Sequence, residues 1–374
     1  MKKVLVVGGA GYVGCVLAEE LLAKGYSVRV LDRLFFGRTP IEPFLDRIEL
    51  SEKDMRDIDA SDVEDCAAVV NLGGLSNDPT AEFNPRANDE LNRVASIRLA
   101  EVAKAARVPR HLFASSASIY DRGVGEEVRD VLQDEDFEVD PHAAYSTAKL
   151  AAERAIIGMA DADFAPVAFR KGTIFGFSPR MRYDLVVNSF VRDAMSHGRL
   201  HVHYGGEMWR PLIDVKDVAR AYVMALESDV DPIRGQVFNL MAANYRISEL
   251  AIRTHRALAD FGVPAELDVD YSYRMVRSYR ISGEKIARVL GFSPRVTVEE
   301  SVTTMVREIQ RRGMTDFSHP RYSNIEWMKL LEEAVATVRS QGYVLARPGF
   351  SGGGGPGADD AGVARLADRP RRSG

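Results

Sequence analysis

A doubly wound parallel α/β sheet followed by a smaller C-terminal α/β lobe is the fold class this sequence predicts. Three observations predict it. Short β-branched runs alternate with amphipathic helical stretches through the first half of the chain. A glycine-rich turn joins the first such run to the first helix. After Gly176 the alternation loosens and arginines and aromatics become frequent.

The elements follow in order. Lys3–Val7 is a short apolar run that suits a buried strand of a parallel sheet. Gly8, Gly11 and Gly14 follow at once. Tyr12–Lys24 then places Val13, Val16, Leu17, Leu21 and Leu22 at helical spacing, and Gly25 closes the helix. The glycines therefore sit at a strand-to-helix turn. Missing Cβ atoms let the backbone approach a pyrophosphate, and the helix N-terminus offers free N–H groups to its charge. The second strand, Val28–Leu31, runs into Asp32. A carboxylate there accepts from both ribose hydroxyls of an adenosine and repels a 2′-phosphate, which favours NAD over NADP. Arg33 is the neighbour able to tolerate that phosphate. Further strands are expected at Ile48–Leu50, Ala68–Leu72, His111–Ser115 and Pro166–Phe169. Helices are expected at Ser61–Asp65, Asp89–Ala106 and Ala144–Met159.

The last of these helices opens on Tyr145-Ser146-Thr147-Ala148-Lys149. Positions i and i+4 lie one turn apart on one helix face. An ammonium so placed favours the phenolate and is expected to lower the tyrosine pKa, poising Tyr145 as a general acid or base beside a carbonyl.

These pieces resemble the extended short-chain dehydrogenase/reductase superfamily, specifically its NAD-dependent nucleotide-sugar epimerases and dehydratases, over about residues 1–345. The resemblance implies a Rossmann-type nucleotide domain. Asp54 and Met55 look like that family's adenine loop, and Leu72, Gly73 and Gly74 like its turn over the cofactor. Phe113–Tyr120 looks like the strand that delivers a catalytic hydroxyl, here Ser116. The resemblance makes Ser116, Tyr145 and Lys149 catalytic. It adds Tyr12, Val13 and Asn92 to the cofactor contacts. Its substrate contacts are Ser76, Ser116, Ala117, Ser118, Thr173 and Asn188, with Arg210 and Arg277 on a nucleotide diphosphate. Thr173 stands where the family usually has asparagine. Ala117 and Ser118 stand where its dehydratases carry an Asp-Glu pair, and where its decarboxylating members keep the glutamate. Without that acid and base, eliminating water is disfavoured.

Composition sets outer limits. The chain has 374 residues, 46% of them hydrophobic, and a net charge of −5, which argues against a nucleic-acid or membrane binder. It has no apolar run long enough for a membrane span, and its two cysteines, Cys15 and Cys66, fit a reduced cytoplasmic setting. His201 and His203 alternate on a strand with no third ligand apparent, so no metal is expected. The acidic stretch 121–140 reads as a solvated loop near the site, and His142 as a surface histidine.

Residues 1–176 are expected to form the NAD-binding domain, rejoined by 211–244. Residues 177–210 and 245–345 are expected to form the substrate lobe, and 351–374 a disordered tail. In the resembling family, helices matching 89–106 and 144–159 pair across a homodimer axis. The expected function is epimerisation of a nucleotide-diphosphate sugar through a transient 4-keto intermediate. The alternatives are a ketoreductase or dehydrogenase, a 4,6-dehydratase-like enzyme, and a non-catalytic NAD sensor, which would need the glycine turn but not Ser116, Tyr145 and Lys149.

Overall fold

The computed structural model describes residues 2–121, 131–272 and 278–341. Met1–Lys329 form one compact unit. Leu330–Gly374 form a second, described as far as residue 341, where it is helical. The tail expected at 351–374 lies outside the described residues.

Strands β1 (Lys3–Val7), β2 (Ser27–Asp32), β3 (Ile48–Glu52), β4 (Cys66–Asn71) and β5 (Arg110–Ser116) come first. The short β6 (Leu132–Gln133) precedes β7 (Ala165–Lys171), β8 (Thr173–Phe175), β9 (Arg199–Val202) and β10 (Trp209–Asp214). The last are β11 (Gln236–Leu240), β12 (Ala243–Arg246), β13 (Glu266–Val269) and β14 (Arg280–Ile281). Seven of them form one sheet in the order β11-β7-β5-β4-β1-β2-β3, with every pairing parallel. The strand order reverses direction at β1, so the carboxyl ends of β1 and β4 flank a crevice, the place where such sheets bind ligands.

Both faces of the sheet are covered, as its near-continuous apolar strands require. Helix α1 (Tyr12–Ala23) packs on one face, where Leu17 and Leu21 join Val4, Val6 and Tyr222 in one core. Side chains alternate along a strand, so Leu5 and Val7 turn to the opposite face and meet Leu99, Phe113 and Ile156. That face is built by α2 (Asp78–Phe83), α3 (Pro85–Asp89), α4 (Ala95–Ala105) and α5 (Ala144–Ile157). A further core gathers α6 (Val186–His197), α8 (Ile247–Asp260) and α10 (Val298–Arg311) around Phe190, Leu250, Val302 and Met305. Between these in sequence lie α7 (Val215–Glu227) and α9 (Glu284–Leu290), and α11 (Asn324–Gln341) follows them.

Three elements differ from the sequence reading. The helix expected at Ser61–Asp65 is a 3₁₀ turn, Ala60–Val63, closed by a capping box between Asp59 and Asp62. The continuous helix expected from Asp89 to Ala106 is interrupted by a π-helical turn at Glu90–Val94. Strand β10 reaches into the 211–244 stretch that was expected to rejoin the NAD-binding domain, and it does not enter the seven-stranded sheet. It lies between β12 and β8 in a three-stranded sheet, with Leu212 beside Thr173. Strand β11 does enter the large sheet, as its edge beside β7.

Candidate active site

The glycine turn is held by contacts that only glycine permits. Gly8 has φ +77°, and a Cβ there would sit 2.9 Å from the Gly73 nitrogen. A Cβ on Gly14 would lie 2.2 Å from the Gly8 carbonyl oxygen. Asp32 straps the turn to the end of β2. Its Oδ2 accepts from the Ala10 N–H at 3.0 Å and its Oδ1 from the Leu34 N–H at 2.8 Å. Burial pushes the Asp32 carboxyl upward, opposed by those two donors and by Arg180. Arg33 is engaged elsewhere. It pairs with Asp54 at 2.9 Å and lies over the Phe35 ring. Arg56 also bonds Asp54 and holds its carboxyl below the usual range.

A cleft of about 480 Å³ opens along this edge. Gly8, Gly11, Tyr12, Val13, Gly14, Asp32, Arg33, Asp54, Met55, Leu72, Gly73 and Gly74 line its one end. Ser76, Ser116, Ser118, Tyr145, Thr173 and Arg210 line the remainder. Sequence-distant residues thus share one wall because they end adjacent parallel strands or lead from them.

Four expected contacts stand behind the cleft wall: Lys149, Asn92, Ala117 and Asn188. Asn92 is fully buried behind Gly74, where it donates to the Leu75 carbonyl at 2.9 Å and to Asn88 Oδ1 at 2.7 Å. The π turn sets it there as a support for the Gly73–Leu75 segment, not as a wall residue. Ala117 is fully buried in a small apolar cluster with Ile119, Tyr120 and Leu150, so its side chain offers the cleft nothing. Asn188 is fully buried as well. It donates to the Tyr12 hydroxyl and the Arg182 carbonyl and accepts from the Gly176 N–H, which uses its amide to join α1 to the Gly176 turn. Arg277 lies outside the described residues.

At the reacting end, the Ser116 side chain neighbours the Tyr145 phenol and pulls its pKa down. The Ser116 Oγ also lies 2.9 Å from the Ser118 hydroxyl. The phenol is not lowered as the sequence led us to expect. Burial pushes it up to about 12, the Asp78 carboxylate adds to the rise, and Ser116 and Arg182 pull against it. Lys149 does not offset this. Its ammonium lies 5.0 Å from the Phe113 ring centroid and beneath Gly74. Burial, then Lys171, pushes it down to about 7.

Several wall residues escaped the sequence reading. Arg180 and Arg182 come from the loop after Gly176, with Asp184 beside them. Arg182 pairs with Asp184 at 2.8 Å and reaches Ser76 at 3.1 Å. Arg180 stacks over Phe36 at 3.5 Å. Asp78, Asp121, Lys171 and Tyr279 also line the cleft. The charged run Arg180-Met-Arg182-Tyr-Asp184 was the available signal. Away from the cleft, His201, His203 and Asp270 bring possible ligand atoms within 4.8 Å of one another. The sequence hid this third group because Asp270 follows β13, the partner strand of β9.

Residues 4–240 match the NAD dependent epimerase/dehydratase family. The chain belongs to that family. A putative UDP-glucose 4-epimerase of Methanocaldococcus jannaschii is 25% identical over 327 residues, covering 83% of this chain and all of the relative. UDP-glucuronic acid decarboxylase 1 of Xenopus tropicalis is 28% identical over 240 residues, 61% of this chain, which spans only 54% of that relative. The structure of MoeE5 in complex with UDP-glucuronic acid and NAD superposes with TM-score 0.69 at 25% identity, covering 83% of this chain and all of MoeE5.

The cofactor of this family member is NAD. The residues fit it: the glycine cradle admits no Cβ at Gly8 or Gly14, and Asp32 is fixed at the end of β2 with lone pairs to spare. We expect wild type to bind NAD at least about tenfold tighter than NADP, and Asp32→Asn to lose most of that margin. Fluorescence titration with both cofactors checks this. Equal affinities in wild type would show that Arg33 or Arg180 receives the 2′-phosphate.

Among the described residues no helix is long and apolar enough to cross a membrane.

Proposed function

We propose that this enzyme is a nucleotide-sugar epimerase acting through a transient 4-keto sugar. The observation that carries the reading is the juxtaposition of Ser116 and Tyr145 on the cleft wall, beside a buried Ala117 and a Ser118 whose hydroxyl meets that of Ser116. This end of the cleft holds a proton-transfer pair, while positions 117 and 118 supply no carboxylate.

Bound NAD supplies a reversible hydride acceptor and donor. The Gly8–Gly14 turn and Asp32 would hold it, with Lys149 at its ribose. Tyr145 takes the proton of the sugar hydroxyl as the carbinol carbon is oxidised. Ser116 holds the developing carbonyl oxygen by a hydrogen bond. Arg210 lines the same cleft and is the candidate for the diphosphate. Turning the ketone in the pocket and reducing its other face inverts the carbon, and Tyr145 returns the proton. The helical faces near 89–106 and 144–159 are the proposed dimer contact.

Asp78 and Asp121 favour a second reading, dehydration. Both carboxylates line the cleft, and one could serve as the acid that positions 117 and 118 lack. Product analysis separates the two. An epimerase retains deuterium placed at the inverted carbon and accumulates no NADH. A 4-keto-6-deoxy product would establish the dehydratase instead, and loss of carbon dioxide a decarboxylase. Washout of the label into water would overturn direct hydride return.

A further inference from the structure

Lys171 ends β7 on the cleft wall, and no described residue forms a hydrogen bond or ion pair with its ammonium. Three other wall cations are paired with carboxylates, Arg33 with Asp54, Lys53 with Asp59 and Asp62, and Arg182 with Asp184, while Arg180 bonds Asn324 and stacks on Phe36. Lys171 instead faces a second ammonium, Lys149, on which it acts by repulsion. Burial alone pushes Lys171 down to about 8, with no carboxylate close enough to oppose it. Lys171 is half-buried, and a partly desolvated ammonium without a counter-ion is stabilised when an anion arrives.

The position of Lys171 says which anion. In the sheet register Lys171 lies beside Ser116. Residues at equal register on adjacent strands point to the same face. The ammonium is therefore at the end of the cleft where Ser116 and Tyr145 meet the reacting sugar. Resting on the nucleotide-sugar reading, we propose that the sugar carries a carboxylate, making the substrate a nucleotide-linked uronic acid whose carboxylate pairs with Lys171. A carboxylate at C6 is two bonds from C4, so the pair also fixes the ring against Tyr145. Ser118, on the same wall, offers a further hydroxyl to the anion.

Calorimetric titration of the NAD-loaded full chain tests this, using UDP-glucuronate, UDP-glucose and UDP, with the dTDP-linked series beside them. Wild type should bind the uronate about tenfold tighter than the neutral sugar, the worth of one charge-assisted contact. Lys171→Met should erase that margin without weakening the neutral sugar or the free nucleotide. Lys171→Arg should keep most of it, and thermal unfolding of both variants establishes that they are folded. Equal affinity of wild type for the two sugars overturns the proposal. So does parallel weakening of uronate, neutral sugar and nucleotide in Lys171→Met, which would place the ammonium on the diphosphate. Failure of every nucleotide and nucleotide sugar to bind overturns the nucleotide-sugar reading itself, and this inference with it.

Discussion

Replacing Tyr145 with Phe should lower turnover by about 10²–10⁴-fold, the usual worth of a positioned general acid–base, while NAD affinity stays nearly constant. The change removes one oxygen, the oxygen beside Ser116, and leaves the ring to fill its place on the wall. Its partner cannot substitute, because a serine hydroxyl is a far weaker base than a phenolate. The pH profile gives a second readout. Burial raises the phenol, so the deprotonated form becomes more abundant as pH rises, and wild-type kcat/KM should climb with pH until the phenol is ionised. The Phe variant should lack that limb. Wild-type-like turnover in the variant would move the base to another group, with Lys171, pushed down to about 8, the first to examine.

The lowered Lys149 changes how this pair is understood. The i, i+4 spacing does place both residues on α5, but spacing says nothing of what surrounds each group. Lys149 is buried under Gly74 with Lys171 as a neighbour, and its own charge is destabilised. A sequence motif gives the identity of the groups. Their protonation depends on desolvation and on neighbours brought from other strands.

The same division runs through the fold. Strands β1, β2, β4, β5 and β7 were legible because buried parallel strands are continuous apolar runs, and the glycine turn because close backbone approach admits no side chain. The π turn at Glu90–Val94 was not legible. Its apolar residues keep near-helical spacing, and the interruption serves Asn92, whose amide must reach Leu75. The placement of β10 was hidden for a related reason. Trp209–Asp214 has the composition of a sheet strand, but whether it joins one sheet or another is decided by Thr173–Phe175, which offers it a parallel edge. Asn188 was misread because a buried amide and a ligand-binding amide look alike in sequence. Only its three bonds, to Tyr12, Gly176 and Arg182, show that it holds the protein together.

Glu153→Ala is expected to cost about 3–5 kcal/mol of folding stability, the range for breaking one side of a buried ion pair. Glu153 and Arg170 are almost fully buried, 2% and 7% exposed at the side chain, and meet at 2.7 Å. The pair is tied into the sheet behind the active site. Ser115 donates to Glu153 at 2.5 Å, and Arg170 donates to the Tyr120 hydroxyl at 2.8 Å. Tyr120 in turn donates to Asn239 on β11. Removing the carboxylate leaves the buried guanidinium with the Tyr120 hydroxyl and the Glu135 carbonyl as its hydrogen-bond acceptors, neither of them charged. Replacing both partners by apolar residues, Glu153→Leu with Arg170→Met, should recover much of the loss, because the desolvation cost of both charges then disappears. Urea unfolding of the single and double variants measures this. Because Ser115 and Arg170 directly precede Ser116 and Lys171, the folded fraction of Glu153→Ala should also show reduced kcat, with NAD affinity unchanged at the distant glycine turn. A loss below about 1 kcal/mol would show that water reaches the pair, and that the wall carrying Ser116 and Lys171 is held by the apolar packing of β5 and β7 alone.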